Sequence, residues 1–329
     1  MTEHQVFTRA DISRRALATG VGIGSLAALL AACGGGGSSS SGGSSSKGGS
    51  GGTASDYAAI IKGGLTASAA AIAASPWAAA IKKNGVLRVG GIETGPLFSM
   101  KNLATGELTG FDAGMSQLLA RYITGKSDPK DLTKLTIVSV DTRESLLQNG
   151  SVDAVFATYT ITPARAKKVA FAGPYYESGD AIMVKADNKT ITSVADLAGK
   201  TVVTEAGSTA AVDIKKRVPT AKLLLLQQDA ECVAAVQQGR ADAYVLDQGI
   251  LISDASTNKQ VKVVGQPFTK EPYGIGLPLK DPSAKKFVNA FLEDIYKSGD
   301  WAKLWKATIG TVVSGAAPAT PAIGSTTGA

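Results

Sequence analysis

The chain has 329 residues, of which 44% are hydrophobic and 19% are charged, and its formal net charge is +7. These proportions suit one large globular unit or two lobes, and they exclude a disordered polymer. The basic residues occur as scattered lysine pairs rather than along one helix or between aromatic residues, which argues against nucleic-acid binding.

The first 32 residues have the pattern of an export signal. A polar start with three arginines is followed by an uncharged apolar run over residues 16–32, which is shorter than the ~20 residues of a membrane span. Its ending, LAAC, resembles a bacterial lipobox and predicts cleavage before Cys33 with lipidation of the Cys33 thiol. A plain signal-peptidase site with an incidental cysteine is the alternative. The pair Arg14 and Arg15 also resembles a twin-arginine signal, so the export route stays open.

Several kinds of catalytic chemistry are excluded by what the exported chain would lack. The single histidine, His4, lies in the predicted signal, so the mature chain would have no Ser-His-Asp, Cys-His or histidine-metal site. The tripeptide GKS at residues 125–127 is not a P-loop, because Ala120 stands where the first glycine would be. The sequence therefore predicts no metal and no cofactor.

The rest of the chain divides by composition. Residues 33–55 are a flexible glycine-serine linker that would tether the lipidated end, and residues 56–84 predict alanine-rich lead-in helices with a break at Pro76. From residue 85, apolar runs of strand length alternate with amphipathic helical stretches, which is typical of an α/β fold with parallel sheets. Cys232 is interpreted as a small buried apolar residue, and residues 313–329 are predicted to be disordered.

An internal echo suggests two similar lobes. The segment QNGSVDAVFAT, which ends at Thr158, aligns without gaps on QQGRADAYVLD, which ends at Asp247. Each segment reads as a helix end capped by glycine and followed by a buried strand. If the repetition is not chance, Thr158 and Asp247 lie at equivalent carboxyl ends of strands, where open α/β sheets bind ligands.

The residues at these strand ends fit the two charges of an amino acid. Arg165 follows the first strand end and can hold a carboxylate with two parallel hydrogen bonds. The turn of Gly207, Ser208 and Thr209 offers free N–H groups to the same anion, and Asp247 offers a carboxylate to an ammonium group. A surface arginine and an ordinary capped helix are the plainer alternatives for the first two features.

Combined motifs over residues 86–310 resemble the extracellular solute-binding proteins of polar amino-acid ABC transporters (family 3 type), and among them the glutamate-binding lipoproteins. The motifs are LLQNGSVDAVFATYTITPARAKKVAFAGPYY, VVTEAGSTAAV, ECVAAVQQGRADAYVLD and VGQPFTKEPYGIGLPL. The resemblance implies a two-lobed periplasmic-binding-protein fold of type II with two crossover hinge segments. Residues 85–178 and 271–312 would form lobe 1, and residues 179–270 would form lobe 2.

The resemblance also implies a role for each site residue. Arg165, Ser208 and Thr209 would bind the α-carboxylate of the ligand, whereas Thr158, Thr160 and Asp247 would bind its ammonium group. Arg143 occupies the position at which relatives bind an acidic side chain, so glutamate or aspartate is favoured, with glutamine next. Glu93 and Glu205 could repel such a side chain or orient Arg143, and a basic amino acid therefore also stays open.

The predicted protein is a monomeric, lipid-anchored, exported binding protein that faces the periplasm or the extracellular side. It would deliver its amino acid to the permease and ATPase subunits of an ABC importer, and it would not be an enzyme. Two alternatives are an exported dehydratase or lyase that uses Asp247 or Glu205 as a general base, and a ligand sensor for a signalling partner.

Overall fold

The computed structural model describes residues 54–329, so the predicted signal, Cys33 and nearly all of the linker lie outside the described residues. No helix in the described part is both long and apolar enough to span a membrane. Three helices come first: α1 (Ala54–Gly63), α2 (Ala69–Ala73) and α3 (Pro76–Asn84).

Lobe 1 is built on a five-stranded sheet of order β5-β1-β6-β13-β7, in which β1 is parallel to β5 and β6 while β13 is antiparallel to β6 and β7. A small antiparallel sheet, β2-β3-β4, lies beside it. The elements are β1 (Leu87–Gly91), β2 (Thr94–Gly95), β3 (Ser99–Lys101), β4 (Leu108–Thr109), α4 (Phe111–Thr124), β5 (Thr133–Ile137), α5 (Arg143–Gln148), β6 (Ala154–Val155), β7 (Ala170–Ser178), β13 (Glu271–Leu277), α9 (Pro282–Ser298) and α10 (Asp300–Ala307).

Lobe 2 repeats this plan with a sheet of order β10-β9-β11-β8-β12, in which β9 is parallel to β10 and β11 while β8 is antiparallel to β11 and β12. Its elements are β8 (Asp180–Lys185), β9 (Thr201–Glu205), α6 (Thr209–Arg217), β10 (Lys222–Leu226), α7 (Asp229–Gln237), β11 (Ala243–Asp247), α8 (Gln248–Thr257) and β12 (Val261–Val264). Short 3-10 turns cover Pro129–Asp131, Arg165–Lys167, Val194–Leu197 and Ile309–Thr311.

The predicted fold class is confirmed, and the echo in the sequence is structural. The echoed strands β6 and β11 both occupy the third place of their sheets. The aspartate before each strand makes the same hydrogen bond to the neighbouring strand. Asp153 accepts from the N–H of Arg88 at 2.8 Å, and Asp242 accepts from the N–H of Thr201 at 2.8 Å. The matching aspartates fix the register of the two central strands in the same way.

The chain crosses between the lobes twice, between β7 and β8 at Gly179 and between β12 and β13 at residues 265–270. Each lobe has its own apolar core. The core of lobe 1 extends to the lead-in helices through Tyr57, Ile61 and Trp77, whose indole N–H donates to the carbonyl of Asp153 at 3.2 Å. These helices therefore pack as part of lobe 1.

The C-terminal segment, residues 313–329, differs from the prediction of disorder. Val313, Ala317 and Ile323 pack against the core of lobe 1, and the N–H of Gly324 donates to the carbonyl of Gly173 at 2.9 Å. The composition is rich in alanine, proline and threonine, which predicted disorder because few large apolar groups are present. The side chains of this segment nonetheless pack against the core of lobe 1. No local pattern in the sequence predicts this tertiary contact.

Candidate ligand-binding cleft

A cavity of about 370 Å³ lies between the two lobes. That volume suits a small molecule rather than a macromolecule. Seven of the nine predicted site residues line it: Arg143, Thr158, Thr160 and Arg165 from lobe 1, and Ser208, Thr209 and Asp247 from lobe 2. Gly207 and Glu93 do not line it.

Arg165 is a buried cation on the lobe 1 wall of the cavity. Its Nη1 donates to the carbonyl of Thr160 at 2.8 Å, and its Nη2 reaches across the cleft to the carbonyl of Gly207 at 3.4 Å. Burial lowers the pKa of Arg165, because desolvation disfavours the charged form. Among residues 54–329, no carboxylate lies within ion-pair distance of this guanidinium. A buried arginine held by carbonyls and an aromatic ring still lacks an anion, and a carboxylate can accept two parallel hydrogen bonds from its guanidinium.

A second buried arginine, Arg143, begins α5 and lies beside the first. Its Nη1 donates to the carbonyl of Ala157 at 3.1 Å, and its Cζ lies 4.0 Å from the ring centroid of Tyr159. The Cζ of Arg165 lies 5.2 Å from the same ring centroid. Burial, and then the positive charge of Arg165, lower the pKa of Arg143 to about 10. The Tyr159 ring, which both guanidinium groups approach, stabilises two neighbouring cations that would otherwise repel each other.

Thr158 has a strained backbone at the carboxyl end of β6. Its φ of +46° makes it the one non-glycine residue with positive φ in the part of the chain that the structure describes. Such a conformation costs roughly 1–3 kcal/mol and persists where neighbouring contacts impose it. The N–H of Thr158 donates to Asp112 Oδ2 at 2.7 Å, and the hydroxyl of Tyr175 donates to Asp112 Oδ1 at 2.7 Å. Asp112 therefore positions Thr158, and no local pattern in the sequence marks it for this role.

The lobe 2 side of the cleft is the start of α6. The Oγ of Ser208 accepts from the N–H of Ala211 at 3.1 Å, so this hydroxyl serves as the helix cap. The first N–H groups of a helix lack intrahelical partners, and Thr209 brings them to the cavity wall. Gly207 contributes its carbonyl to Arg165 rather than a surface to the cavity.

Asp247 ends β11 and faces the same cavity from lobe 2. Its carboxylate is buried, and its Oδ1 has no hydrogen-bond partner among the described residues. Burial first, and the neighbouring Glu271 next, raise the pKa of Asp247 to about 7. An ammonium group at Oδ1 would supply both the missing hydrogen bond and the missing charge.

The cavity also has an acidic wall on lobe 2, formed by Glu205, Asp229 and Asp254. Burial and the charge of Asp229 raise the pKa of Glu205 to about 7, and the same two causes raise the pKa of Asp254 to about 8. Burial also raises the pKa of Asp229, which accepts from the hydroxyl of Tyr244 at 2.9 Å. Asp229 follows the end of β10, so the strand-end rule could have found it. Asp254 lies within α8, and no sequence signal marks it.

Glu93 does not line the cavity, although the sequence predicted it as a pocket residue. It lies in the turn between β1 and β2, where its Oε2 is 3.3 Å from Lys101 Nζ, and its neighbours Ile92 and Thr94 line the cavity in its place. The ion pair turns this side chain towards a lysine on β3 and away from the cleft. Of the two glutamates named from the sequence as candidate pocket groups, only Glu205 is at the cavity.

Contacts between the lobes hold the cleft closed in this structure. The N–H of Leu97 in lobe 1 donates to the Oγ of Ser253 in lobe 2 at 3.0 Å, and the ring of Phe98 lies against Gly249 at the start of α8. A Cβ added to Gly249 would lie 2.8 Å from Cζ of Phe98, a fully buried ring. Only glycine allows this approach of the two lobes.

Replacing Gly249 by alanine should therefore weaken ligand binding. Alanine favours the helix, but its methyl group would push the Phe98 ring away and oppose closure, at roughly the 1–3 kcal/mol of an overpacked contact. We expect about a tenfold loss of ligand affinity or more by calorimetric titration, with α8 retained by circular dichroism. The matched control is Gly63→Ala, since nothing lies within 4 Å of a Cβ at Gly63. Unchanged affinity in Gly249→Ala would contradict this reading of the interlobe contact.

Two lobes joined by two crossings around a charged cleft define the class of two-lobed solute-binding proteins. The family model of bacterial extracellular solute-binding proteins, family 3, matches residues 87–311. The chain therefore belongs to this family, and the resemblance found in the sequence is confirmed.

Individual relatives agree with this assignment. The ABC transporter glutamine-binding protein GlnH of Bacillus subtilis is 36% identical over 233 residues, covering 70% of this chain and 84% of that protein. The glutamate-binding protein GluB of Corynebacterium efficiens is 32% identical over 239 residues, covering 69% of this chain and 80% of that protein. Among solved structures, the ancestral amino acid-binding protein AncCDT-1, a precursor of cyclohexadienyl dehydratase, has a TM-score of 0.63 at 34% identity, covering 70% of this chain and 98% of that one.

Proposed function

We propose that this protein captures a free α-amino acid between its lobes and delivers it to an ABC importer. The observation that carries the proposal is the pair of unmatched charges on opposite walls of one small cavity. Arg165 on lobe 1 lacks an anion, and Asp247 on lobe 2 has a carboxylate oxygen without a partner, among the residues described. An α-amino acid carries the two complementary charges.

The α-carboxylate would bind between Arg165 and the first turn of α6, so that one ligand group contacts both lobes. The ammonium group would bind Asp247, with Thr158 and Thr160 as further partners on the wall of lobe 1. Each charge-assisted hydrogen bond contributes ~1.5–3 kcal/mol, so four or five give roughly 10 kcal/mol before the costs of ordering and closure. Micromolar affinity or better follows without any covalent chemistry, and closure is favoured because the ligand contacts both lobes.

The side-chain end of the cavity favours an amide. Arg143 on lobe 1 can donate to a carbonyl oxygen, whereas Glu205 on lobe 2 can accept from an NH₂ group, and the charge of Glu205 acts on that of Arg143. A glutamate side chain would meet the acidic wall of Glu205, Asp229 and Asp254, and a basic side chain would meet Arg143. We therefore place glutamine ahead of glutamate and aspartate, the reverse of the order expected from the sequence, because only Glu205 of the three acidic residues was identified there.

Replacing Glu205 by glutamine tests this order. Removing one carboxylate from the acidic wall should shift the ratio of glutamine to glutamate affinity by about tenfold towards glutamate, roughly 1.4 kcal/mol. The measurement is calorimetric titration of each variant with both amino acids. Glu231→Gln is the matched control, since Glu231 lines the cavity mouth but is exposed. An unchanged ratio in Glu205→Gln would remove Glu205 from the selectivity role.

Anchoring and delivery complete the proposal. Membership in an extracellular solute-binding family agrees with the export signal over residues 1–32, and the LAAC ending supports lipidation at Cys33. A monomer on a short lipid-anchored linker would reach a permease in the same membrane. Incorporation of radiolabelled palmitate into the full chain, and its loss in Cys33→Ala, would test the anchor.

An enzymatic role is the second candidate, because AncCDT-1 is described as a precursor of a dehydratase and because the pKa of Glu205 lies near 7. The relatives with glutamine-binding and glutamate-binding names favour binding without turnover. Incubating the purified protein with each amino acid and following the NMR spectrum separates the two, since a binding protein returns its ligand intact.

A further inference from the structure

Three carboxylates converge where the chain crosses between the lobes. Asp180 is the first residue of β8 after the first crossing, Glu271 is the first residue of β13 after the second crossing, and Asp213 lies on α6. One carboxylate oxygen from each lies within 4.8 Å of the others. The three residues are far apart in the sequence, so no local motif predicts that their carboxylates meet.

The carboxylates of Asp180 and Glu271 are buried, and three of their four oxygens lack a hydrogen-bond partner among the described residues. Asp180 is fully buried, and neither of its carboxylate oxygens has a partner within the described residues. Glu271 is 3% exposed, and its Oε1 accepts from the hydroxyl of Thr269 at 3.1 Å while its Oε2 has no partner. Ser178, which pairs with Glu271 across the strands, also has a buried hydroxyl oxygen without a partner. Unpartnered oxygens of this kind are rare in folded proteins, because each one costs roughly 1–3 kcal/mol.

Within residues 54–329, the surroundings place no cation within ion-pair distance of these three carboxylates, and the guanidinium of Arg165 acts on Glu271 only from a greater distance. No ion pair in the described part of the chain includes Asp180, Asp213 or Glu271. The cleft does not supply the missing cation, since the amino acid's single ammonium group is assigned to Asp247. The group therefore lacks a cation in direct contact with its carboxylates.

We propose that Asp180, Asp213 and Glu271 bind a hard divalent cation, with Ca²⁺ as the best match. Three carboxylates in a largely buried place form an all-oxygen donor set, and Ca²⁺ accepts such ligands in flexible geometry whereas Mg²⁺ demands a regular octahedron. The cation would join both crossings to α6, the helix whose first turn lines the cleft. It would therefore stabilise the hinge without contacting the amino acid.

The test titrates the purified protein with CaCl₂ after EDTA treatment and desalting into chelator-treated buffer at pH 7.5, with MgCl₂ and MnCl₂ in parallel and NaCl at matched ionic strength. We expect saturable binding of one Ca²⁺ by calorimetry. At a hundredfold excess over Kd, the Tm should rise by about 5 °C. Absence of saturable binding, or an equal rise in Tm with NaCl, would overturn the proposal.

Variants locate the site. Asp213→Asn should retain the fold, because Asp213 is half-buried on a helix, and it should weaken Ca²⁺ binding at least tenfold. Asp180→Asn should abolish Ca²⁺ binding, with folding checked by circular dichroism. Asp187→Asn is the matched control, since Asp187 is an exposed carboxylate of the same lobe outside the group. Wild-type Ca²⁺ affinity in both Asp213→Asn and Asp180→Asn would overturn the assignment, as would a Tm that rises on acidification but responds to no cation.

Discussion

Arg165→Ala should lose the binding of every amino acid, whatever its side chain. The guanidinium is buried, is fixed by the carbonyl of Thr160, and is proposed to hold the α-carboxylate that all amino acids share. Removing one partner of a buried charge pair costs ~3 kcal/mol or more, which is about a 150-fold loss of affinity. Calorimetric titration with glutamine and glutamate should give parallel losses. Affinities within threefold of the wild type would contradict the assignment.

The unliganded Arg165→Ala protein should be at least as stable as the wild type. Without an amino acid, the buried guanidinium has no ion-pair partner among the described residues, and the lowered pKa of Arg165 indicates that its desolvation outweighs the carbonyl hydrogen bonds and the nearby Tyr159 ring. The free energy of unfolding, measured in urea without ligand, should therefore stay the same or rise. Arg217→Ala, at an exposed position of α6, is the control that should change neither affinity nor stability. This pairing separates a role in binding from a role in folding.

Asp247→Asn should weaken amino-acid binding by about a hundredfold, because an amide cannot neutralise the ammonium group. It should also remove a pH dependence that the wild type is expected to show. Burial raises the pKa of Asp247 to about 7 in the unliganded protein, and the ammonium group binds the ionised carboxylate. As the pH falls below about 7, the carboxyl is increasingly protonated before binding, so affinity should decrease by up to about tenfold per pH unit until the pKa of the complex is reached.

The measurement is glutamine affinity between pH 5 and pH 8 in the wild type and in Asp247→Asn. The wild-type curve should fall towards acid pH, and the variant curve should be flatter. Glu205→Gln is needed beside them, because the pKa of Glu205 also lies near 7 and its titration would add to the wild-type slope. A wild-type affinity independent of pH, or the same slope in Asp247→Asn, would contradict the proposed role of Asp247.

The sequence predicts the lobes because its signals for them are local. The echoed aspartates Asp153 and Asp242 make the same hydrogen bond in both lobes. A motif that occurs twice in the sequence therefore corresponds to the same structural unit in each lobe. The rule that ligands bind at carboxyl ends of strands places Thr158 and Asp247 at the cleft for the same reason. These predictions depend only on where a strand ends, which the apolar pattern shows.

The missed features depend on tertiary packing. Asp254 lies within a helix and reaches the cleft because α8 packs there, and Asp112 fixes the strained backbone of Thr158 from a helix in another part of lobe 1. Glu93 was placed in the pocket, but a hairpin brings Lys101 to it instead. Asp180 and Glu271 meet only because both crossings pass through the same place. Contacts between residues far apart in the chain leave no periodic pattern in the sequence from which they could be predicted.

The central claim is that the cleft binds a free amino acid through its two backbone charges, with an amide side chain preferred. It is tested most directly by calorimetric titration of the purified protein after unfolding and refolding to remove any bound ligand. The titrants are glutamine, asparagine, glutamate, aspartate, arginine and histidine. We predict 1:1 binding with glutamine the tightest, at micromolar Kd or below. Binding of none of the six would contradict the assignment of Arg165 and Asp247 to an amino acid.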